Sequence, residues 1–249
     1  MTKIISILNH KGGVGKTTTA INLSASLAAH GKKVLLIDAD PQANLTQSLG
    51  HPTESENTIY GALRGQYPLP VVHHRENFDV VLSTLDLSAV EIELAGEVGR
   101  EFILRELLEP LTKNYDYILI DCPPSLGLLT VNALAASTSV LIPVQAQYLA
   151  VQGMAKLLNI IDKVKQKLNK SLQLEGVLVT QFTKTIVLNR DILSTIQGHF
   201  PDKVFSTVIR SNVALAEAPS NGKDIFEYNP KSPGAQDYLS LCEELLKNN

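Results

Sequence analysis

The residues of this chain whose types and spacing speak most directly of chemistry are Lys11-Gly12-Gly13-Val14-Gly15-Lys16-Thr17-Thr18-Thr19. Glycines at 12, 13 and 15 let backbone N–H groups turn inward around a polyphosphate. Lys16 is spaced to reach the β- and γ-phosphate oxygens, and the Thr17 hydroxyl to ligate Mg²⁺. Gly12, Gly13, Val14, Gly15 and Thr18 complete the expected binding loop, and the chemistry is capture of a nucleoside triphosphate.

Such a loop works only between particular elements. The apolar, β-branched run Ile4-Ile5-Ser6-Ile7-Leu8 ahead of it reads as a buried strand. Residues 18–30 follow, and Ala20, Leu23, Ala25 and Leu27 suit a packed helix. Strand, glycine loop and helix N-terminus form the context of a phosphate-binding loop. The standard pattern G-x-x-x-x-G-K-[ST] is nevertheless not met, because His10 stands at its first glycine. A second lysine, Lys11, stands five residues before Lys16, although a loop needs one lysine for its own nucleotide.

Lys11-Gly12-Gly13-Val14-Gly15-Lys16-Thr17 resembles the deviant Walker A motif of the ParA/MinD superfamily of P-loop ATPases. The resemblance implies that Lys11 acts in trans on a partner's nucleotide, and that Gly12 lets two chains approach over sandwiched ATP. Val34-Leu35-Leu36-Ile37-Asp38-Ala39-Asp40-Pro41-Gln42-Ala43-Asn44 reads as a second buried strand ending in acids. It is similar to the D-x-D-P-Q-[GA]-N signature of ParA/Soj-type partition ATPases. By that match Asp40 orients the attacking water and also belongs to the metal site. Taken alone, Asp38 and Asp40 read as a polar strand end. Tyr117-Ile118-Leu119-Ile120-Asp121 has the form of a Walker B strand, with Asp121 expected to hold Mg²⁺ through water, opposite Thr17. The implied catalytic set is Lys11, Lys16 and Asp40.

The resemblance runs further. Val140-Leu141-Ile142-Pro143-Val144-Gln145 looks like the family's fifth core strand. Asn212-Val213-Ala214-Leu215-Ala216-Glu217-Ala218-Pro219-Ser220, then Gly222, resembles its N-V-R-L-S-E-A-P-S-x-G segment and implies nucleotide contact at Asn212 and Pro219. Tyr228, Ser232, Gly234, Ala235 and Tyr238 match its C-terminal pattern. Ser211 and Ala214 stand where partition ATPases often carry arginine, Arg210 replaces a proline, and Gln147 stands where a glutamate is common.

Strands are expected at 3–8, 33–38, 78–82, 117–121, 139–144, 174–180 and 204–209. Near-continuous Val/Ile/Leu runs alternating with helices predict an α/β fold, a mostly parallel twisted sheet with helices on both faces, in one domain over 1–249. A short acidic helix is expected at 91–97. Residues 122–155 carry no charge, the mark of a membrane span. But Asn132, Pro143, Gln145, Gln147 and Gln152 interrupt them, so a buried helix and strand are expected instead. There is no secretory h-region, and two cysteines in unlike surroundings fit a reducing cytoplasm.

The net charge of −3 is unevenly distributed. Residues 1–155 hold 10 Lys/Arg against 15 Asp/Glu, whereas residues 156–231 hold 11 against 7. Two such basic regions in a dimer would gain from counterion release on a phosphate backbone. Lys184, Arg190, Arg210 and Lys223 are the candidate DNA contacts. Lys163, Lys165, Lys167 and Lys170 read equally well as a solvated helix end. With no helix-turn-helix expected before Lys3, operator recognition is not expected.

The expectation is therefore an Mg²⁺-dependent ATPase that dimerises on ATP, binds nonspecific double-stranded DNA on the nucleoid, and answers to a ParB-type activator. Alternatives are a positioning ATPase for another cargo, a MinD-like membrane-associated ATPase, and a metabolic enzyme of the superfamily. The tail from Tyr238 to Lys247 is amphipathic but acidic, so no stable membrane association is expected.

Overall fold

The computed structural model describes residues 2–147 and 150–248, apart from the side chains of 150–153, so Gln152 lies outside the described side chains. Seven strands form one sheet: β1 Lys3–Ile7, β2 Val34–Asp38, β3 Val71–Arg75, β4 Phe78–Val81, β5 Tyr117–Asp121, β6 Ser139–Gln145 and β7 Gln173–Thr180. The helices are α1 Lys16–Ala29, α2 Asn44–Ser48, α3 Ile59–Leu63, α4 Val90–Glu93, α5 Ile103–Leu108, α6 Leu128–Ala136, α7 Ala150–Lys167, α8 Val187–His199, α9 Val213–Glu217, α10 Ile225–Tyr228 and α11 Pro233–Lys247.

The sheet order is β3-β4-β2-β5-β1-β6-β7, parallel except for the β3–β4 pair. Side chains of a strand alternate between faces, so each apolar run feeds two cores. Leu35, Ile37, Ile118 and Ile120 pack with α3 and with α5 to α8 on one face. Val34, Leu36, Tyr117 and Leu119 pack with α1, α2 and α11 on the other. Asp38 and Asp121 are opposite one another in the β2–β5 ladder, as are Ile7 and Asp121 in the β1–β5 ladder. The ends of β1, β2 and β5 therefore converge on the first loop.

Three departures from the expected elements stand out. The edge strand β3 was not foreseen, because His73, His74 and Arg75 break its apolar pattern; Asn77 at φ 59° turns the chain back into β4. The strand expected at 204–209 does not form a ladder. It runs beside β7 through isolated bridges at Val177–Val204 and Phe182–Arg210. Between them the Ser206 and Thr207 N–H groups donate to the Glu244 carboxylate at 2.6 and 2.9 Å, which takes that backbone away from β7. The acidic helix at 91–97 is shorter than expected, ending at Glu93 ahead of Gly96.

The uncharged stretch after Cys122 folds as α6 and the buried strand β6, and no described helix is long and apolar enough to cross a membrane.

Candidate nucleotide site at the strand ends

Between β1 and α1 the chain passes through left-handed backbone at Gly13 (φ 73°) and Gly15 (φ 85°), where a Cβ would be strained. Asn9 stiffens the entry: its Nδ2 donates to Pro143 O at 2.7 Å and its Oδ1 accepts the Lys11 N–H at 3.0 Å. Gly15 is the N-cap of α1, which has no side-chain cap and no acid in its first turn. The first N–H groups of a 14-residue helix are thus left for a ligand.

A cavity of about 460 Å³ opens over this turn. Gly12, Gly13, Gly15, Lys16, Thr17 and Thr18 form one wall, and Asp40, Gln42 and Asn44 another. Pro219 and Lys223 close it from the C-terminal segment. Val14 is buried beneath the loop. Asn212 lines an adjoining space of about 330 Å³ shared with Gly15 and Thr18. Lys16 is 7% exposed, and its Nζ lies 3.5 Å from Lys11 O.

Thr17 Oγ1 donates to Asp121 Oδ2 at 2.7 Å, while Asp121 Oδ1 is buried with no hydrogen-bond partner. Burial holds the Asp121 carboxyl well above the usual carboxylate range and the charge of Asp38 adds to this, against the Thr17 hydrogen bond and Lys16. A buried, unpartnered carboxylate oxygen beside a threonine hydroxyl fits a hydrated divalent cation. Among the described residues no group of three or more His, Cys, Asp or Glu could hold a metal by itself.

Asp38 and Asp40 have different surroundings. Asp38 is wholly buried and accepts the Thr46 N–H and hydroxyl at 2.9 and 2.7 Å, and the Asp40 N–H at 3.2 Å. Thr46 Oγ1 in turn accepts the Ser83 N–H, and Ser83 Oγ donates to Asp40 O at 2.8 Å. This ring pins the turn after β2, so that the Asp40 carboxylate projects into the cavity wall. Asp38 is a framework residue.

Lys11 does not line the cavity; it is exposed, and its Nζ donates to Gln147 Oε1. The candidate DNA contacts have different surroundings. Lys184 and Arg190 are exposed at the start of α8. Arg210 is held by Asp237, Nη2 to Oδ1 at 2.7 Å with its backbone N–H on Oδ2 at 2.8 Å. Lys223 faces the nucleotide cavity. Sequence reasoning missed Thr180 and Gln181, which grip the loop from the end of β7; one hydroxyl and one amide after an apolar strand carry no local signal.

A family model described as an AAA domain matches residues 2–174. The sporulation initiation inhibitor protein Soj of Bacillus subtilis is 48% identical, with all of both chains covered. The chromosome partitioning protein ParA of Myxococcus xanthus is 48% identical over 98% of this chain and 88% of its own. Among solved structures, a cobyrinic acid a,c-diamide synthase of Mycobacterium smegmatis with bound ATP analogue and magnesium is 33% identical, with TM-score 0.89 over 100% of this chain and 96% of that one.

Proposed function

The chain belongs to the ParA/Soj-type partition ATPases of the ParA/MinD superfamily, and from that membership we propose that it is an ATP-driven dimerising switch that moves DNA. It is an ATPase with ATP and Mg²⁺ as its ligands. The proposal treats residues 1–249 as one working domain.

The residues divide the work. The glycine loop and the α1 N-terminus hold the phosphates, and Lys16 sets its charge against the β- and γ-oxygens. Thr17 and Asp121 hold the cation, Asp121 through water, with Asp40 beside it. When bound, Mg²⁺ would supply charge neutralisation to the phosphates. Asp40 orients the attacking water, its backbone fixed by Ser83. Asn212 and Pro219 close over the nucleotide.

The observation that carries the dimer reading is the placement of Lys11. Its ammonium lies outside its own cavity, on Gln147, at an exposed edge of the loop. A Cβ at Gly12 would meet nothing within 4 Å, so packing within the chain does not require that glycine. Both features suit a second copy approaching face to face, with Lys11 reaching its nucleotide.

For cargo, nonspecific double-stranded DNA on the nucleoid and a ParB-type activator are the proposed partners in the cytoplasm. Lys184 and Arg190 are the contacts with free access, whereas Arg210 is engaged by Asp237 and Lys223 by the cavity. A membrane-bound reading is disfavoured by α11, whose Tyr238, Leu241 and Leu245 are buried in the core and leave Leu239 as its one exposed large apolar side chain.

The test is binding of Asp40→Ala to random-sequence duplex DNA, with ATP and with ADP, over a salt series. ATP-dependent binding that weakens steeply with salt is expected. Binding in neither state removes DNA from the proposal, and hydrolysis by Asp40→Ala at the parental rate removes Asp40 as the water-orienting residue.

A further inference from the structure

Two consecutive residues at the end of β7 hold consecutive carbonyls of the nucleotide loop. Thr180 Oγ1 donates to Val14 O at 2.8 Å, and Gln181 Nε2 donates to Gly13 O at 2.6 Å. The Gln181 amide is itself oriented, because its Oε1 accepts Gln145 Nε2 at 2.6 Å from the end of β6. Gln181 makes these contacts from left-handed backbone, φ 51°, which is strained for a residue with a Cβ. Thr180 also borders Gly15: a Cβ there would lie 3.8 Å from the Thr180 Cγ2.

A peptide unit is planar, and in the trans form its C=O and the next N–H point in opposite directions. Drawing the Gly13 and Val14 carbonyls to β7 therefore turns the Val14 and Gly15 N–H groups to the other side of the loop. We propose that Thr180 and Gln181 are positioning residues of the ATP site, setting the Val14 and Gly15 N–H donors on the phosphates, with Gln145 fixing which way the Gln181 amide faces. Glycine-rich loops are free to flip their peptides, and each flip would present a carbonyl oxygen to a phosphate in place of a donor. The two grips suppress those flips before the nucleotide arrives, so affinity is not spent on ordering the loop. The strained backbone at Gln181 accompanies that pre-organisation.

This inference rests on the ATPase reading, and ADP binding separates it from dimerisation. Gln181→Gly removes the amide and relieves the left-handed strain. Its thermal midpoint without nucleotide should equal or exceed the parent's, while its Kd for fluorescent ADP rises about tenfold, the worth of about 1.4 kcal/mol. Gln181→Glu can still accept from Gln145 but cannot donate to Gly13, and should lose affinity similarly. Thr180→Val, equal in shape, should shift Kd in the same direction. A structural role alone would lower the midpoint and spare the affinity of the folded protein. Parental ADP affinity in Gln181→Gly and Gln181→Glu overturns the inference and leaves the ATPase reading standing. A parent that binds neither ADP nor ATP overturns both.

Discussion

Thr17 Oγ1 donates to Asp121 Oδ2 at 2.7 Å, joining the first turn of α1 to the end of β5 across 104 residues of chain. Thr17 forms part of the cavity wall and Asp121 lies behind it, with the second Asp121 oxygen buried and unpartnered. Asp121→Asn should leave the nucleotide-free protein as stable or more stable, since burying a charge is costly and an amide avoids it. Its Mg²⁺ requirement for nucleotide binding should rise about tenfold or more. Titration of Mg²⁺ against fluorescent ATP checks this, and an unchanged half-saturation point would refute the assignment.

The two loop lysines should separate under substitution. Lys16→Ala, removing the buried ammonium at the cavity, should weaken ATP binding about a hundredfold or more. Lys11→Ala should bind ATP about as the parent does yet remain monomeric. Calorimetry paired with light scattering distinguishes them, and an ATP-dependent dimer in Lys11→Ala would contradict a role in trans.

Asp38 confers a pH dependence whose sign follows from its burial. Desolvation pushes its carboxyl up from 3.8 to about 6, despite the Thr46 hydrogen bonds. The folded protein thus holds this proton more tightly than the unfolded chain. Its stabilising contribution is full below about pH 4, is lost as pH rises through about 6, and is flat above that, a change on the order of 3 kcal/mol. Urea unfolding of the parent and Asp38→Asn from pH 4 to 7 should show the parent losing ground to the variant over that window. A pH-independent difference would show that Asp38 does not titrate there.

Arg75, on the unforeseen edge strand, ion-pairs Asp224 at 2.6 Å, and Asp224 caps α10 by accepting the Phe226 N–H at 2.8 Å. The Asp224 side chain is fully enclosed and Arg75 is 27% exposed. Arg75→Ala should therefore destabilise by about 2 kcal/mol, below the ~3–5 kcal/mol of a fully buried pair. Arg75→Ala with Asp224→Asn should recover part of that loss, because no buried charge is left unpaired; Glu227, which Arg75 also reaches at 3.1 Å, is 42% exposed and stays solvated. A double variant no more stable than Arg75→Ala would mean that the cap outweighs the ion pair.

How much of this was legible without coordinates depends on how local each feature is. Strand β1, the loop and α1 follow one another within 29 residues, and their glycines, lysines and apolar spacing encode them together. The acids at the ends of β2 and β5 were legible as strand ends, because an apolar run stopping at Asp is a pattern within one segment. Their division of labour was not. Asp38 is a framework residue because Thr46 and Ser83 arrive from elsewhere in the chain. Arg210 read as a free cation until α11 brought Asp237 against it, and 204–209 read as a strand until Glu244 took the Ser206 and Thr207 N–H groups. Gln181 had no motif at all, and its left-handed turn and its grip on Gly13 exist only once β7 lies beside the loop. Composition and spacing by themselves determined the element types and the phosphate chemistry, since both arise from neighbouring residues. Sheet order, the partners of each charge and the orientation of the loop peptides were decided by the tertiary fold, since they depend on contacts between segments distant along the chain.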